Sequence, residues 1–465
     1  MPGDGGLRLD ALRWRQQVVG VEHEVRLLDG GRTTYVNLDN AATTPVLRHV
    51  QHMLREAEEI YSSVHRGAGY KSRRTSDLYE EARAEVLRFL GAQDGKRVAI
   101  FTKHTTEAVN KLAAEFPLER GDVVILSEME HHANLLPWRG RAEIAYLPVD
   151  AQGRLDLGAL PDLLERHSGR VKLVAISGAS NVTGYVNDIH FAAEMAHRHG
   201  AMIFVDAAQL APHRRIRMLN ADDPGAIDFL AFSAHKLYAP YGAGALVGPR
   251  EFFRRGAPQL RGGGAIKFVS LEDVIWDEPP AREEAGSPNV LGAIALGAAL
   301  HSLEAMGVER LEAREHELLL YLLGRLGEVP GVEVLGGMAS DERIGAVSFV
   351  LDGVPPMLVA AALGWEWGIG VRAGCFCANP YVMRLLHLSS PQVAGLRDEI
   401  ARGERSHLPG AVRASLGLYN LEAEIDRLHA ALMAVSLGEF KGRYAIEPET
   451  GEYWPEGAQE AWSTL

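Results

Sequence analysis

Short apolar runs recur along the chain at Val98–Thr102, Val123–Ser127, Ile144–Val149, Leu173–Ser177, Ala201–Val205, Asp228–Phe232 and Gly244–Gly248. Segments with helical spacing lie between them, such as Glu107–Phe116, where Val109, Leu112, Ala113 and Phe116 follow the i, i+3, i+4, i+7 rule. Continuous rather than alternating apolar strands, separated by amphipathic helices, predict an α/β fold with a mostly parallel sheet buried on both faces. Ser287-Pro288 reads as an N-cap and first-turn proline opening a small-residue helix that stops at Gly307. Beyond it the order changes to helix, strands at Val332–Leu335 and Ala346–Leu351, a cysteine-bearing loop and a closing helix at Leu421–Val435, which predicts a smaller α+β domain. The expected division is an N-terminal extension over 1–34 that packs on the small domain, a large domain over 35–297, the small domain over 298–436 and a tail over 437–465. In the tail, Glu449-Thr-Gly-Glu452 between Tyr444 and Trp454 predicts a hairpin that clasps a neighbour.

Two strand ends carry chemistry. The run to Val205 is followed by Asp206-Ala-Ala-Gln209, and the run to Phe232 by Ser233-Ala-His235-Lys236. A carboxylate and a lysine at neighbouring strand ends are what pyridoxal phosphate requires: the aspartate pairs with the protonated ring nitrogen, and the lysine carries the aldehyde as a Schiff base. Thr105 and Thr106 open a helix after the Val98–Thr102 strand, where hydroxyls and free N–H groups suit an anion; Ser233 and His235 beside Lys236 would complete a phosphate site. His131, in Glu130-His-His-Ala-Asn134, follows another strand end and is placed to stack on a pyridine ring and move protons. Asn181 and Gln209 are candidates for the cofactor's phenolic oxygen, although buried amides also serve structure. Zinc is a poorer reading, because the adjacent histidines lack i, i+4 spacing, and no metal is expected.

Composition narrows the setting. The 465 residues are 47% hydrophobic and 23% charged, as in ordinary globular domains. The formal charge of −13 disfavours nucleic acid and anionic membranes as partners. Neither an apolar signal core in residues 1–34 nor a membrane-length apolar stretch is found, so a cytoplasmic protein is expected. Cys375 and Cys377 are the two cysteines, too few and too close for a disulfide framework.

The motifs together resemble a known family. Tyr35-Val-Asn-Leu-Asp-Asn-Ala-Ala-Thr-Thr-Pro45, Glu130–Asn134, Asp206–Gln209, Ser233–Tyr238, Glu284-Ala-Gly-Ser-Pro-Asn289 and Arg372-Ala-Gly-Cys-Phe-Cys377 are similar to those of class V aminotransferase-fold enzymes, and within them to the cysteine desulfurase/selenocysteine lyase branch. The resemblance spans roughly residues 33–436. It implies the fold-type I architecture, a homodimer with sites at the subunit interface, and a reaction in which L-cysteine becomes L-alanine while Cys377 takes the sulfur as a persulfide. By the same resemblance Lys236, Asp206 and His131 hold the cofactor, with His131 also the acid for the substrate. Thr105, Thr106, Ser233 and His235 bind its phosphate, and Ser287 reaches the phosphate of the other subunit. Arg413 clamps the substrate carboxylate, with Arg372 a second active-site arginine, as suits bidentate guanidinium recognition, and Asn181 also contacts the substrate. Arg372 close to Cys377 would favour the thiolate.

The chain also departs from that pattern. Cys375-Phe376 stands where the branch has two histidines, and Gly-Cys-Phe-Cys resembles the molybdenum-cofactor sulfurases. Cys375 is read first as a small buried residue, with a persulfide relay or a strained Cys375–Cys377 link as alternatives. His104 replaces a glycine, and residues 385–410 form an insertion suited to a lid or to docking a sulfur acceptor. The alternative function is an aminotransferase, epimerase or carbon–sulfur or selenocysteine lyase on the same scaffold that does not use the thiol.

Overall fold

The computed structural model describes residues 4–65 and 67–457. Its main sheet has seven strands: β1 Arg97–Thr102, β2 Val123–Ser127, β3 Glu143–Leu147, β4 Val171–Ser177, β5 Met202–Asp206, β6 Phe229–Ser233 and β7 Gly244–Pro249. They lie in the order β1-β7-β6-β5-β4-β2-β3, with β7 antiparallel to β1 and β6 and the remaining pairs parallel. Successive residues feed two separate cores, as the pleat requires. Val205, Leu230 and Val247 face one side with the helix Val290–Met306. Phe204, Ala231 and Leu246 face the other with the helix Thr105–Glu115. Neither face meets water, which explains why the strands read as unbroken apolar runs. β3 stops at Leu147, ahead of Pro148, which has no N–H to continue the ladder.

The helix Val290–Met306 differs from expectation at its start. Asn289, not Ser287, is the N-cap: its Oδ1 accepts from the Gly292 N–H at 3.0 Å, while Nδ2 donates to the carbonyls of Tyr241 and Gly242, both at 2.8 Å. An amide can cap the helix and hold the neighbouring loop at once, which a hydroxyl two residues earlier cannot. The helix lies close against Tyr70–Phe89; a Cβ on Gly297 would stand 2.9 Å from Ala82. At Gly307, whose φ is 87°, the chain turns by 77° into the helix Val308–Gly327.

A further core, that of the small domain, gathers Leu318, Leu322, Phe349 and Val412 around a four-stranded antiparallel sheet. Its strands are β8 Val332–Val334, β9 Ala346–Leu351, β10 Arg372–Gly374 and β11 Ala411–Ser415, in the order β8-β9-β11-β10. A boundary after residue 297 falls inside the Val290–Met306 helix, whose residues through Leu303 belong to the first core. We propose Gly307 as the junction instead. Val36 and Leu38 already belong to the small-domain core, and Val36–Asn37 pairs with Ile369–Gly370, so the chain visits the small domain before building the large one.

The N-terminal helix Asp4–Gln16 is tied to the small domain by Arg15, which pairs with Glu424 at 2.8 Å. The tail forms a hairpin, Tyr444–Ile446 with Tyr453–Pro455, whose Trp454 ring lies 6.3 Å from Trp365 while the Tyr444 hydroxyl donates to Glu366 at 2.9 Å. The hairpin expected to clasp a neighbour thus packs on its own chain, drawn by the buried Glu366 carboxylate. The insertion follows the helix Asn379–Leu385 and contains the helix Ser390–Ala401, no residue of which is fully buried. Its Arg405 N–H donates to the Pro448 carbonyl at 2.9 Å, so the turn of the tail hairpin rests on it. Among the described residues no single helix is long and apolar enough to cross a membrane.

Candidate active site

The carboxyl ends of β4, β5 and β6 deliver Ser177, Asp206 and the Ser233–Lys236 segment to the rim of one cavity of about 660 Å³. Lys236 ends a single 3₁₀ turn after β6. The turn is held from the far end of the chain: the His235 carbonyl accepts from Thr43 Oγ1 at 3.1 Å and from the Thr44 N–H at 2.9 Å. Burial lowers the Lys236 ammonium to about 8, against the opposing pull of Asp206. Asp206 is 5% exposed and accepts from the Ala208 N–H at 2.9 Å. Burial raises its carboxyl, and Lys236 offsets part of that rise.

His131 caps the short helix His132–Leu135, its Nδ1 accepting from the Ala133 N–H at 3.0 Å. The remaining hydrogen of the neutral ring therefore sits on Nε2. Burial, then the neighbouring Lys236 charge, pushes His131 down to about 3. At neutral pH the ring is therefore neutral, with its single proton on Nε2. Beneath it Glu130 is buried among donors, accepting from Ser177 N and Oγ at 2.8 and 2.7 Å, from Asn134 Nδ2 at 2.7 Å and from Ser127 Oγ. Sequence reasoning assigns Glu130 no role; four donors around one buried carboxylate are a long-range property.

Thr105 and Thr106 occupy the first turn of the helix Thr105–Glu115, and the N-cap is His104, whose Nδ1 accepts from the Glu107 N–H at 3.2 Å. The Thr105 hydroxyl lies 2.7 Å from Ser233 Oγ, which also accepts from the Thr105 N–H at 2.8 Å. Two hydroxyls and a helix N-terminus thus meet beside His235, whose imidazole is pushed down to about 4 by burial and by Lys236. Gln209 donates to the Ala41 carbonyl at 2.8 Å and keeps a buried Oε1 without a partner.

The nucleophile candidate, Cys377, lines the same cavity. Phe376 and Cys377 both adopt left-handed backbone, with φ of 53° and 55°. Each costs about 1 kcal/mol or more for a residue with a side chain, so other contacts must hold the loop. The Cys377 carbonyl accepts from the His132 N–H at 2.7 Å, the Asn379 N–H donates to His132 Nε2 at 3.2 Å, and Asn181 Nδ2 donates to the Phe376 carbonyl at 2.7 Å. His132 is therefore a site residue that the sequence does not single out. Cys377 is exposed, whereas Cys375 is half-buried and donates to the Pro409 carbonyl at 3.0 Å. Burial raises the Cys375 thiol to about 11. Arg413, only 3% exposed, donates to the Asn181 carbonyl at 2.9 Å and to Asp39 at 3.2 Å; Asp39 also pairs with Arg372 at 2.8 Å. Desolvation lowers the Arg413 guanidinium to about 10.

One cavity therefore joins Lys236, Asp206 and Gln209 with the Thr105, Thr106, Ser233 and His235 cup. His131, Asn181, Arg372, Cys377 and Arg413 line it too. Ser287 does not; it borders a separate cavity of about 680 Å³ with Tyr61, His65 and Asp277. Its neighbour Asn289, not Ser287, turns to the helix end, so Ser287 is left on that second rim.

Residues 36–428 match the Aminotransferase class-V family. The chain belongs to it. A cysteine desulfurase from Haloferax volcanii is 36% identical over 87% of this chain and 90% of its own length, and one from Dickeya dadantii 37% identical over 82% and 87%. Among solved structures, the apo cysteine desulfurase of Thermococcus onnurineus superposes with a TM-score of 0.77 at 32% identity, covering 87% of this chain and 95% of that one. An Escherichia coli cysteine desulfurase in an S-sulfonic acid form gives 0.76 at 31%, covering 92% and 99%. This class V aminotransferase is thus a member of the cysteine desulfurase branch with the fold-type I architecture.

The residues of this family member fit the cofactor of its class, pyridoxal phosphate. A buried Asp206 with a raised carboxyl gains from a cationic N–H partner, which a protonated pyridine provides. A Lys236 amine lowered to about 8 is available in its reactive neutral form. The orphaned Gln209 Oε1 and the paired hydroxyls of Thr105 and Ser233 offer polar contacts at the two ends of the same space.

Proposed function

We propose that this protein is a pyridoxal-phosphate-dependent cysteine desulfurase that converts L-cysteine to L-alanine and carries the sulfur on Cys377 as a persulfide. The observation that carries this reading is the exposed Cys377 thiol facing a cavity that also holds Lys236, Asp206 and Arg413. An aminotransferase or epimerase has no use for that thiol.

Lys236 would hold the cofactor aldehyde, Asp206 its ring nitrogen, His131 its ring face, and Thr105, Thr106, Ser233 and His235 its phosphate, with Gln209 near the phenolic oxygen. Bound there, the group supplies a sink for the electrons released at the substrate α-carbon. Arg413 and Arg372 bind the substrate carboxylate, and Asp39 keeps both guanidiniums turned to the same place. Lys236, with its depressed ammonium, takes the α-proton. Cys377 attacks the substrate sulfur: an S–S bond forms, the Cβ–S bond breaks, and the electron pair stays with the carbon fragment. That fragment takes a proton at Cβ, regains one at Cα from Lys236 and leaves as alanine, so one sulfur atom is exchanged for hydrogen. Asn181, expected at the phenolic oxygen and the substrate, contributes by spanning Arg413 and the Cys377 loop.

The assembly we propose is a homodimer, supported by Ser287 lying away from its own phosphate cup and free to serve the partner's. A sulfur acceptor would meet the exposed Cys377 past the insertion at 385–410. A reducing compartment such as the cytoplasm suits a reaction that needs this thiol free. Incubation of the cofactor-loaded protein with L-cysteine and a reductant should yield alanine and sulfide in equal amounts. Cys377→Ala should abolish both while leaving the visible absorption of the lysine-bound cofactor in place; alanine production by that variant would overturn the reading.

A further inference from the structure

The loop that carries Cys377 is joined to Arg413 by two independent routes. The Phe376 ring lies 4.9 Å from the Arg413 guanidinium carbon. Through the backbone, Arg413 donates to the Asn181 carbonyl at 2.9 Å, and Asn181 Nδ2 donates to the Phe376 carbonyl at 2.7 Å. Arg413, Asn181 and Phe376 form a closed ring of contacts, and the next residue is the nucleophile. Past it the chain is fixed again, by the His132 N–H on the Cys377 carbonyl. Phe376 is therefore the point at which the cation can pull on the loop.

We propose, resting on the desulfurase reading, that Phe376 is a positioning residue that makes the reach of Cys377 depend on whether Arg413 holds a carboxylate. The attraction between a guanidinium and an aromatic face depends on the net positive charge presented to the ring. Desolvation makes that attraction substantial here, since Arg413 is 3% exposed. Asp39 alone is shared between two arginines, so the pair keeps one unit of positive charge. A substrate carboxylate neutralises that charge and weakens the hold on the ring. Two adjacent left-handed residues then have less to keep them in a costly conformation, and the exposed thiol gains freedom to advance on the bound sulfur. Free enzyme holds the thiol back; substrate releases it.

The test uses the cofactor-loaded protein and follows alkylation of Cys377 by iodoacetamide, with and without propionate as a carboxylate that carries no sulfur. Propionate should accelerate alkylation about fivefold in the wild type and in Phe376→Tyr, which keeps the ring. Phe376→Leu and Phe376→Met should alkylate at one raised rate regardless of propionate, with KM for L-cysteine nearly unchanged and kcat lowered. Thermal unfolding identifies any variant that has not folded, and the other ring-less variant then decides. Equal slowing by propionate in all four proteins would mean simple shielding and would overturn the proposal, as would acceleration that survives in both ring-less variants. If the wild type makes alanine from cysteine but propionate leaves alkylation unchanged, the coupling fails and the desulfurase reading stands. If no alanine forms, that reading fails by itself.

Discussion

Arg413 donates from Nη2 to the Asp39 carboxylate at 3.2 Å, joining two residues 374 positions apart. The same carboxylate holds Arg372 at 2.8 Å, so one acidic side chain orients both arginines of the cavity wall. Asp39→Asn keeps the shape and removes the charge. KM for L-cysteine should rise roughly tenfold or more, the scale of a hydrogen bond to a charged group, with a smaller effect on kcat. Steady-state alanine formation checks this; an unchanged KM would show that the arginines need no anchor.

Lys236 loses its proton near pH 8 because burial outweighs the attraction of Asp206. Only the neutral amine reacts with an aldehyde. Capture of pyridoxal phosphate by the cofactor-free protein should therefore speed up as pH rises and level off above about 8. Rapid-mixing absorbance measures it, and a midpoint near the ordinary lysine value would contradict the buried environment.

Burial raises the Glu130 carboxyl to about 7 from an ordinary 4.5, in spite of its hydrogen-bond donors. The folded state thus binds more protons than the unfolded chain between those values, and the protonated form is favoured in the fold. Its contribution is fully present below about pH 4.5 and is lost as pH rises through about 7. Relative to Glu130→Gln, which does not titrate, the wild type should lose stability over that window in urea unfolding at pH 5 and pH 8. Glu130→Ala, leaving several donors unpaired, should cost about 3 kcal/mol at pH 5 and less at pH 8, where the wild type has lost its own contribution.

Cys375 is half-buried with its thiol raised to about 11, so little thiolate exists there at pH 8. Cys375→Ala should retain alanine formation within about twofold, and brief alkylation should label Cys377 alone. Mass spectrometry of the labelled peptide distinguishes this from a relay: loss of the persulfide on Cys377 in Cys375→Ala would establish one.

Much of the site is legible in the sequence because its parts stand at strand ends. The strand to Val205 and the strand to Phe232 can be read from apolar content, and the residues just beyond a buried strand emerge at the rim of the sheet. Asp206 and Lys236 are found that way, and their shared cavity comes from the pairing of β5 with β6. The cap of the Val290–Met306 helix is misplaced by a local reading because Ser-Pro is a strong signal. Asn289 instead satisfies the carbonyls of Tyr241 and Gly242, 48 and 47 residues away, which no local pattern contains. His131 is recognised by its place, whereas its lowered proton affinity depends on the burial and the lysine around it.

The order of residues alone was enough to establish the alternation of strand and helix and to point to the cofactor-type carboxylate and lysine, while the nucleophile candidate on a glycine-bearing loop came from the resemblance to the desulfurases. These depend on periodicity and on neighbours within a few residues, where backbone geometry sets the outcome. It took the folded chain to show that Asp39 serves two arginines, that His132 and Asn181 hold the Cys377 loop, and that Ser287 faces a different cavity. Such pairings exist because packing two cores against each other brings distant polar groups into the same dry space, where each must find a partner or remain costly to bury.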